Sequence, residues 1–256
     1  MNRFDGKVMI VTGAAGGIGK EVVRKLANEG AKLTLVDVNE EALKAVVEEL
    51  QLGNRALVVK TDVSKEADVK NYVDQTITKF GKIDGFVNNA GVEGPAKPIE
   101  DITEEEFNFV YGINVKGAFF GLKYVLPLMK AQKSGAIVNT ASVAGLIGSP
   151  SMMLYNSSKH ALMGINKVAA LEAAEFNVRV NTVNPGVINT RMMRSIESNV
   201  APGAAEAARA AYNDAVPMKR YGEPGEVANL IVFLLSDEAS YMSSSSYTID
   251  GGLYNV

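Results

Sequence analysis

Lys7-Val8-Met9-Ile10-Val11-Thr12-Gly13-Ala14-Ala15-Gly16-Gly17-Ile18-Gly19 carries an apolar, β-branched run straight into a glycine-rich turn, and a helical pattern follows. Glycines at such a junction let the backbone turn tightly and approach a ligand. The helix N-terminus behind them offers N–H groups to a pyrophosphate. A loop of this kind is by itself also compatible with a plain strand-to-helix turn. Context favours the ligand. The next apolar run, 32–37, ends at Asp37, 18 residues beyond Gly19, close to the offset of about 20 at which an acid holds an adenosine ribose. A carboxylate there accepts hydrogen bonds from both ribose hydroxyls and repels a 2′-phosphate. Val38 follows it, and positions 14 and 15 are alanines. No cation is placed in these segments to receive a phosphate, so NAD is favoured over NADP. Gly13, Gly17, Ile18, Gly19 and Asp37 are the contacts expected for that cofactor.

Outward from this stretch the chain alternates short apolar runs with longer helical patterns. Strands are predicted at 7–11, 32–37, 56–60, 83–88, 136–140, 179–184 and 247–249, mostly continuous apolar runs, as expected of strands covered on both faces. Helices are predicted at 19–29, 40–50, 66–80, 104–131, 154–175 and 226–234. Within 40–50, Leu43, Val46, Val47 and Leu50 form one apolar stripe. Alternation of this kind gives βαβ units, a parallel sheet and right-handed crossovers. The expected fold is α/β: a single doubly wound Rossmann-type domain over 1–256, with a mostly or fully parallel seven-stranded sheet. Only 187–218 and the serine run 243–246 look irregular.

The 256 residues carry 26 Lys+Arg and 29 Asp+Glu, a formal net charge of −3, which leaves no basic surplus for nucleic acid or an anionic membrane. Cysteine is absent, which excludes disulfides, thiolate metal sites and cysteine nucleophiles. His160 is the one histidine, which argues against a metal centre or a Ser–His triad. The first apolar run is too short for a signal peptide, and no run is long enough to span a bilayer. The cytoplasm is the expected compartment.

Tyr155 and Lys159 stand at i and i+4 on a predicted helix, so both side chains project from one face. A phenol with a pKa of about 10 is a poor base at neutral pH. A nearby ammonium is expected to lower it toward the range useful for proton transfer. Ser142 follows the strand ending at Thr140, on the carboxyl side of the sheet where doubly wound folds bind ligands. Its hydroxyl can hold a substrate oxygen while Tyr155 exchanges the proton. His160, next along the helix, points about 100° away and is expected to be structural.

Thr12-Gly13-Ala14-Ala15-Gly16-Gly17-Ile18-Gly19, Asn88-Asn89-Ala90-Gly91, Ser142 and Tyr155-Asn156-Ser157-Ser158-Lys159, in this order and at these separations, resemble the short-chain dehydrogenase/reductase family over essentially the whole chain. The resemblance implies that Asn114 joins Ser142, Tyr155 and Lys159 as a catalytic group, kinking the long helix and holding a relay water. It implies that Tyr155 and Lys159 also meet the cofactor, Lys159 at the nicotinamide ribose. It assigns Asp62 and Val63 to the adenine, Asn89, Ala90 and Gly91 to the middle of the cofactor, and Pro185, Gly186, Val187, Ile188 and Thr190 to the nicotinamide carboxamide. Members usually pair through the long helices, so a homotetramer is expected, with Gly117, Ala118, Phe119, Ala169, Ala170 and Ala173 suited to the contact. Ser244 departs from the pattern, standing where the family commonly has glycine. It would be strained if the backbone there needs a positive φ.

Hydride exchange between NAD(H) and a secondary alcohol or ketone is the leading function. Asn88 to Gly94 and Pro98-Ile99-Glu100 look like bacterial enzymes acting on cyclic or otherwise apolar substrates. The first alternative is a 3-oxoacyl-carrier-protein reductase, whose preference for NADPH conflicts with Asp37. A non-catalytic dinucleotide sensor or scaffold is the second, and it would be marked by a broken Tyr/Lys pair. Residues 187–218 are expected to form a lid, facing Val92, Val143, Leu146, Met152 and Met153. Arg191 and Arg194 are expected on the lid's outer, solvent-exposed face. Glu93 is the polar group expected near the pocket.

Overall fold

The computed structural model describes residues 2–255. Seven parallel strands lie in the order β3-β2-β1-β4-β5-β6-β7. They are β1 (Val8–Thr12), β2 (Lys32–Asp37), β3 (Ala56–Lys60), β4 (Gly85–Asn88), β5 (Gly135–Thr140), β6 (Val178–Pro185) and β7 (Ser246–Ile249). β1, β4 and most of β2, β5 and β6 are buried, which is why these runs show no polar alternation.

On one face lie α1 (Gly17–Asn28), α2 (Glu40–Glu49) and α9 (Pro224–Leu235), closing over Val22, Leu26, Leu43, Val46, Ile231 and Leu235. The other face is covered by α3 (Glu66–Phe80), α5 (Ala118–Gln132) and α6 (Met153–Ala173), around Tyr72, Phe86, Val125, Met129 and Ile137. Each large side chain so buried contributes about 1.5–3 kcal/mol. The order reverses where β1 pairs with both β2 and β4. That opens a crevice beyond the carboxyl ends of these strands, where doubly wound sheets bind ligands.

Two predicted segments differ. The helix expected at 104–131 is two helices, α4 (Glu104–Tyr111) and α5, joined by a π-helical turn at Gly112–Gly117. Such turns occur where a side chain or backbone takes over a bond of the helical ladder, and they recur at functional sites. Residues 187–218, expected to be irregular, are mostly helical: α7 spans Arg191–Val200 and α8 spans Ala205–Ala215. Thr190 caps α7 by accepting a bond from the Met193 N–H at 3.3 Å. Met193 is buried with Val187, Val216 and Tyr221 in a small core of its own. Among the described residues no helix is long and apolar enough to cross a membrane.

The condition for strain at the serine departure is met. Ser244 has φ +59°, held by its N–H bond to the Val180 carbonyl at 2.8 Å, while the Ser245 N–H donates to Asn181 Oδ1 at 3.1 Å.

Candidate active site

The glycine loop leaves β1 at Gly13, where φ is +63° and an added Cβ would come within 2.9 Å of Asn89 Nδ2. At Gly19 a Cβ would strike the Gly13 carbonyl at 2.1 Å, so α1 can start this close to the strand only with glycine there. Gly16 caps α1 without a capping side chain, and the first turn holds no acidic residue. The positive end of the helix is therefore left to an anion, which fits a pyrophosphate. Gly17 lies against the Thr190 methyl, 3.1 Å from an added Cβ, so the loop after β6 meets the glycine loop directly.

Asp37 ends β2 with both oxygens anchored. Oδ2 accepts from the Ala15 N–H at 3.2 Å and Oδ1 from the Asn39 N–H at 3.1 Å. Its neighbour Val38 is 61% exposed and offers no charge to a phosphate. Lys60 stands beside Asp37 in β3, a cation that strand pairing brings near and sequence reading did not. Asp62 accepts from the Ser64 hydroxyl at 2.7 Å, and that bond holds its carboxyl below its usual range. Val63 is buried against Gly117 of the π turn, so its side chain packs there.

After β4, Asn89 and Ala90 both donate their N–H groups to Thr12 Oγ1, at 2.9 and 3.0 Å, and Asn89 Nδ2 donates to the Thr12 carbonyl at 3.1 Å. Thr12 thus ties the two ligand-facing loops together, a role sequence reading missed. The only sign of it is a hydroxyl at a strand end just before glycine. Gly91 sits between Asn114 Oδ1 and Lys159 Nζ, which lie 3.3 and 3.4 Å from an added Cβ.

The four expected catalytic residues converge on this point. Asn114 is 1% exposed within the π turn. Its Oδ1 accepts from the Val92 N–H at 2.8 Å, and its Nδ2 donates to the Val92 carbonyl at 2.8 Å and to Ser158 Oγ at 3.0 Å. Ser142 Oγ accepts from the Ala144 N–H at 3.1 Å and donates to the Pro185 carbonyl at 3.4 Å. Lys159 is 4% exposed and donates to the Thr140 carbonyl at 2.9 Å.

The expected lowering of the phenol by Lys159 is not what this arrangement gives. Burial pushes the Tyr155 phenol above its ordinary value, the hydrogen bond with Ser142 pulls it back, and the Glu93 carboxylate adds to the rise. Burial also drives Lys159 itself down to about 8. The lysine nitrogen lies 5.6 Å from the phenol ring centre and directs a proton at Thr140. At neutral pH the Tyr155 phenol accordingly keeps its proton, a state that suits donation to a carbonyl.

The loop after β6 is pinned from two sides. Gly186 donates to the Ile249 carbonyl at 3.0 Å, and Val187 to Asn189 pair with Gly222 through bonds of 2.9 and 2.8 Å. Val187 and Ile188 are buried, while the Thr190 hydroxyl serves the α7 cap.

Arg191 is exposed as expected, but Arg194 is not. Its guanidinium nitrogens are sealed from solvent over the Tyr221 ring, 5.0 Å from its centre, with Nη2 3.0 Å from Glu197 Oε1. Glu197 is 2% exposed and accepts from the Tyr221 hydroxyl at 2.7 Å. The buried carboxylate explains the buried cation. Met153, expected over the site, is 45% exposed.

Residues 13–254 match the family model described as enoyl-(acyl carrier protein) reductase. The chain belongs to the short-chain dehydrogenase/reductase family. It is 42% identical to levodione reductase of Leifsonia aquatica over 253 residues, 98% of this chain and 95% of that protein. A crystal structure of levodione reductase superposes with a TM-score of 0.95, covering 98% of both chains. Cyclohexanol dehydrogenase of Acinetobacter sp. (strain SE19) is 38% identical, over 98% of this chain and 96% of that protein. A crystal structure of NAD+-bound xylitol dehydrogenase, 37% identical, has a TM-score of 0.92 over 97% of this chain and 99% of its own. As a short-chain dehydrogenase/reductase the chain is an oxidoreductase that works with a nicotinamide dinucleotide.

Proposed function

We propose that the protein interconverts a secondary alcohol and its ketone with NAD(H), on substrates that are small to medium-sized, mostly apolar and cyclic. The observation that carries this is the convergence of Ser142, Tyr155, Lys159 and Asn114 beside Gly91, beyond the carboxyl ends of β4 and β5. NAD(H), when bound, supplies or accepts the hydride. The glycine loop would receive its pyrophosphate and Asp37 its adenosine ribose; Asp62, Val63, Asn89 and Ala90 would flank it, and 185–190 would take the carboxamide. Ser142 orients and polarises the substrate oxygen. Tyr155 delivers or removes the proton at that oxygen, and Lys159 recharges Tyr155 while holding the ribose. Asn114 holds the relay to solvent.

Residues 187–218 act as the lid of one domain, with buried Val187, Ile188 and Met193 contributing an apolar wall. Such a wall excludes water from hydride transfer. Glu93, close enough to raise Tyr155, accepts a bond from a second substrate hydroxyl. The levodione, cyclohexanol and xylitol activities named for relatives support ring-shaped or hydroxylated substrates.

The working form is a cytoplasmic homotetramer. Ala118, Ala169, Ala170 and Ala173, expected at its contacts, are buried within the chain's own core, as is Gly117. Phe119, also expected there, is 49% exposed, and together with Phe109, Val168 and Leu171, between 55% and 73% exposed, it supplies the contact. The decisive experiment is a panel of cyclic ketones, cyclic alcohols and 2-oxo acids with NAD(H) and NADP(H), followed at the reduced-nicotinamide absorbance. Preference for cyclic ketones with NADH is expected, and preference for the acids overturns the substrate class.

A further inference from the structure

The layer between the sheet and α5/α6 is mostly apolar, and a line of buried amides runs through it. Asn88 of β4 and Asn139 of β5 are register partners on the face that packs against these helices. Asn88 Nδ2 donates to Asn139 Oδ1 at 3.1 Å, and Asn139 Nδ2 donates to Asn166 Oδ1 at 3.0 Å. Asn88 Nδ2 also donates to the Ala118 carbonyl at 3.0 Å, at the first residue after the π turn. The π turn carries Asn114, whose Nδ2 returns to Ser158 of α6. These bonds close a circuit: α6 to β5, β5 to β4, β4 to the start of α5, and the π turn back to α6. Asn88, Asn139 and Asn166 are 6%, 0% and 2% exposed.

Tyr155, Lys159 and Asn166 fall on one stripe of α6, and Lys159 and Asn166 are separated by about 10 Å along its axis. The helix is therefore pinned to two consecutive residues of β5, through Lys159 to the Thr140 carbonyl and through Asn166 to Asn139. Apolar side chains alone leave a helix able to roll or slide by fractions of an ångström, because dispersion contacts have little directional preference. Hydrogen bonds between buried amides have a narrow geometric optimum. We propose that Asn139 and Asn166 are positioning residues for proton transfer: through Asn88 and the π turn they set the rotation of α6, and with it the placement of Tyr155 and Lys159 against Ser142 and Asn114. This rests on the assignment of Tyr155 as the proton donor.

The test compares Asn166→Leu with the pair Asn139→Val and Asn166→Leu. The single change strands the Asn139 amide in the core and should lower Tm. The double change removes both partners, leaves Asn88 its bond to Ala118, and should return Tm toward that of the unaltered protein. For a positioning role, kcat of the double variant stays down by about ten- to hundredfold and its pH midpoint moves. If kcat and its pH midpoint recover together with Tm, the amides serve packing alone and the proposal fails. Asn166→Gln keeps the polarity of the site and covers poor folding of the leucine variants; it should fold and lose kcat, and full activity there also overturns the proposal. Tyr155→Phe is measured alongside. If it keeps its turnover, the proton-donor assignment is at fault, whereas its loss together with active asparagine variants sinks only the positioning role.

Discussion

Lys159→Met should make the cofactor-free protein more stable at neutral pH while removing its activity. In the folded chain the lysine titrates at about 8 against an ordinary 10.5, because burial penalises its charge. At about 1.4 kcal/mol per pH unit, holding it protonated at pH 7 costs the fold about 3 kcal/mol. The methionine loses the bond to the Thr140 carbonyl, worth about 1.5–3 kcal/mol for a charged donor, but keeps most of the side-chain volume. The net gain at pH 7 is about 1 kcal/mol, or about 2–4 °C in Tm for a chain of this size.

The sign follows from proton counts. Between pH 8 and 10.5 the unfolded chain holds more of this proton than the folded one, so the unaltered protein gains stability as pH rises through that window. The variant lacks that gain. Its advantage should shrink above pH 8 and reverse near 10.5, where only the lost hydrogen bond remains. Urea unfolding of both proteins at pH 7, 8.5 and 10.5, taken as a difference, cancels the other titrating groups. A difference that stays constant across the three pH values would refute the depressed lysine.

Tyr155→Phe deletes only the phenol hydroxyl and should lower kcat by about 10²–10⁴ with NADH binding by fluorescence intact; a loss below about tenfold removes Tyr155 from the reaction. The unaltered protein should prefer NAD by about tenfold or more, since each charged ribose hydrogen bond is worth about 1.5–3 kcal/mol. Asp37→Ser with Val38→Arg should turn that preference toward NADP, and equal kcat/KM for both cofactors in the unaltered protein ends the argument. Ser244→Gly relieves a left-handed residue at φ +59° and should raise stability by about 1 kcal/mol in chemical unfolding, whereas a loss means that the serine side chain matters more than its backbone. Tyr221→Phe leaves buried Glu197 without its hydroxyl donor and should loosen α7, raising KM for the ketone while KM for NADH holds; the opposite split would detach α7 from substrate binding.

Much of this was legible because each signal was local. β2, β3 and α3 have the bounds their apolar runs indicate, since polar or glycine residues close each run sharply. The candidate site was legible in part because Tyr155 and Lys159 share a helix face and Ser142 follows a strand, while Asn114 entered only through the family resemblance. What stayed hidden depends on partners distant in sequence. The π turn falls where the resemblance put a kink at Asn114, but its partner Val92, which bonds both polar ends of that amide, lies outside 104–131. Arg194 was placed outside because the carboxylate and ring that bury it come together only when Tyr221 folds back over α7. Residues 187–218 were read as irregular although Met193, Ile196 and Val200 have helical spacing, because the alanine-rich stretch after them carries no apolar stripe.

The same helix explains how a costly site is carried by a stable fold. Along α6, Leu162, Ala169, Ala170 and Ala173 are buried among apolar neighbours, Ser158, Lys159 and Asn166 are buried polar residues of the same helix, and Tyr155 stands one turn before Lys159. Alanines let the helix lie close to the sheet at its C-terminal half, which fixes its height. The buried polar groups must then find partners at that height or remain unsatisfied, and Lys159, Asn166 and Ser158 find them in Thr140, Asn139 and Asn114. An apolar helix of the same shape would be more stable, since neither a buried ammonium nor a buried amide repays its desolvation in full. A proton passed at a defined place, as proposed above, supplies a reason to carry that cost. The site is thus rigid because the core behind it is apolar, and the core is less stable than it could be because the site is polar.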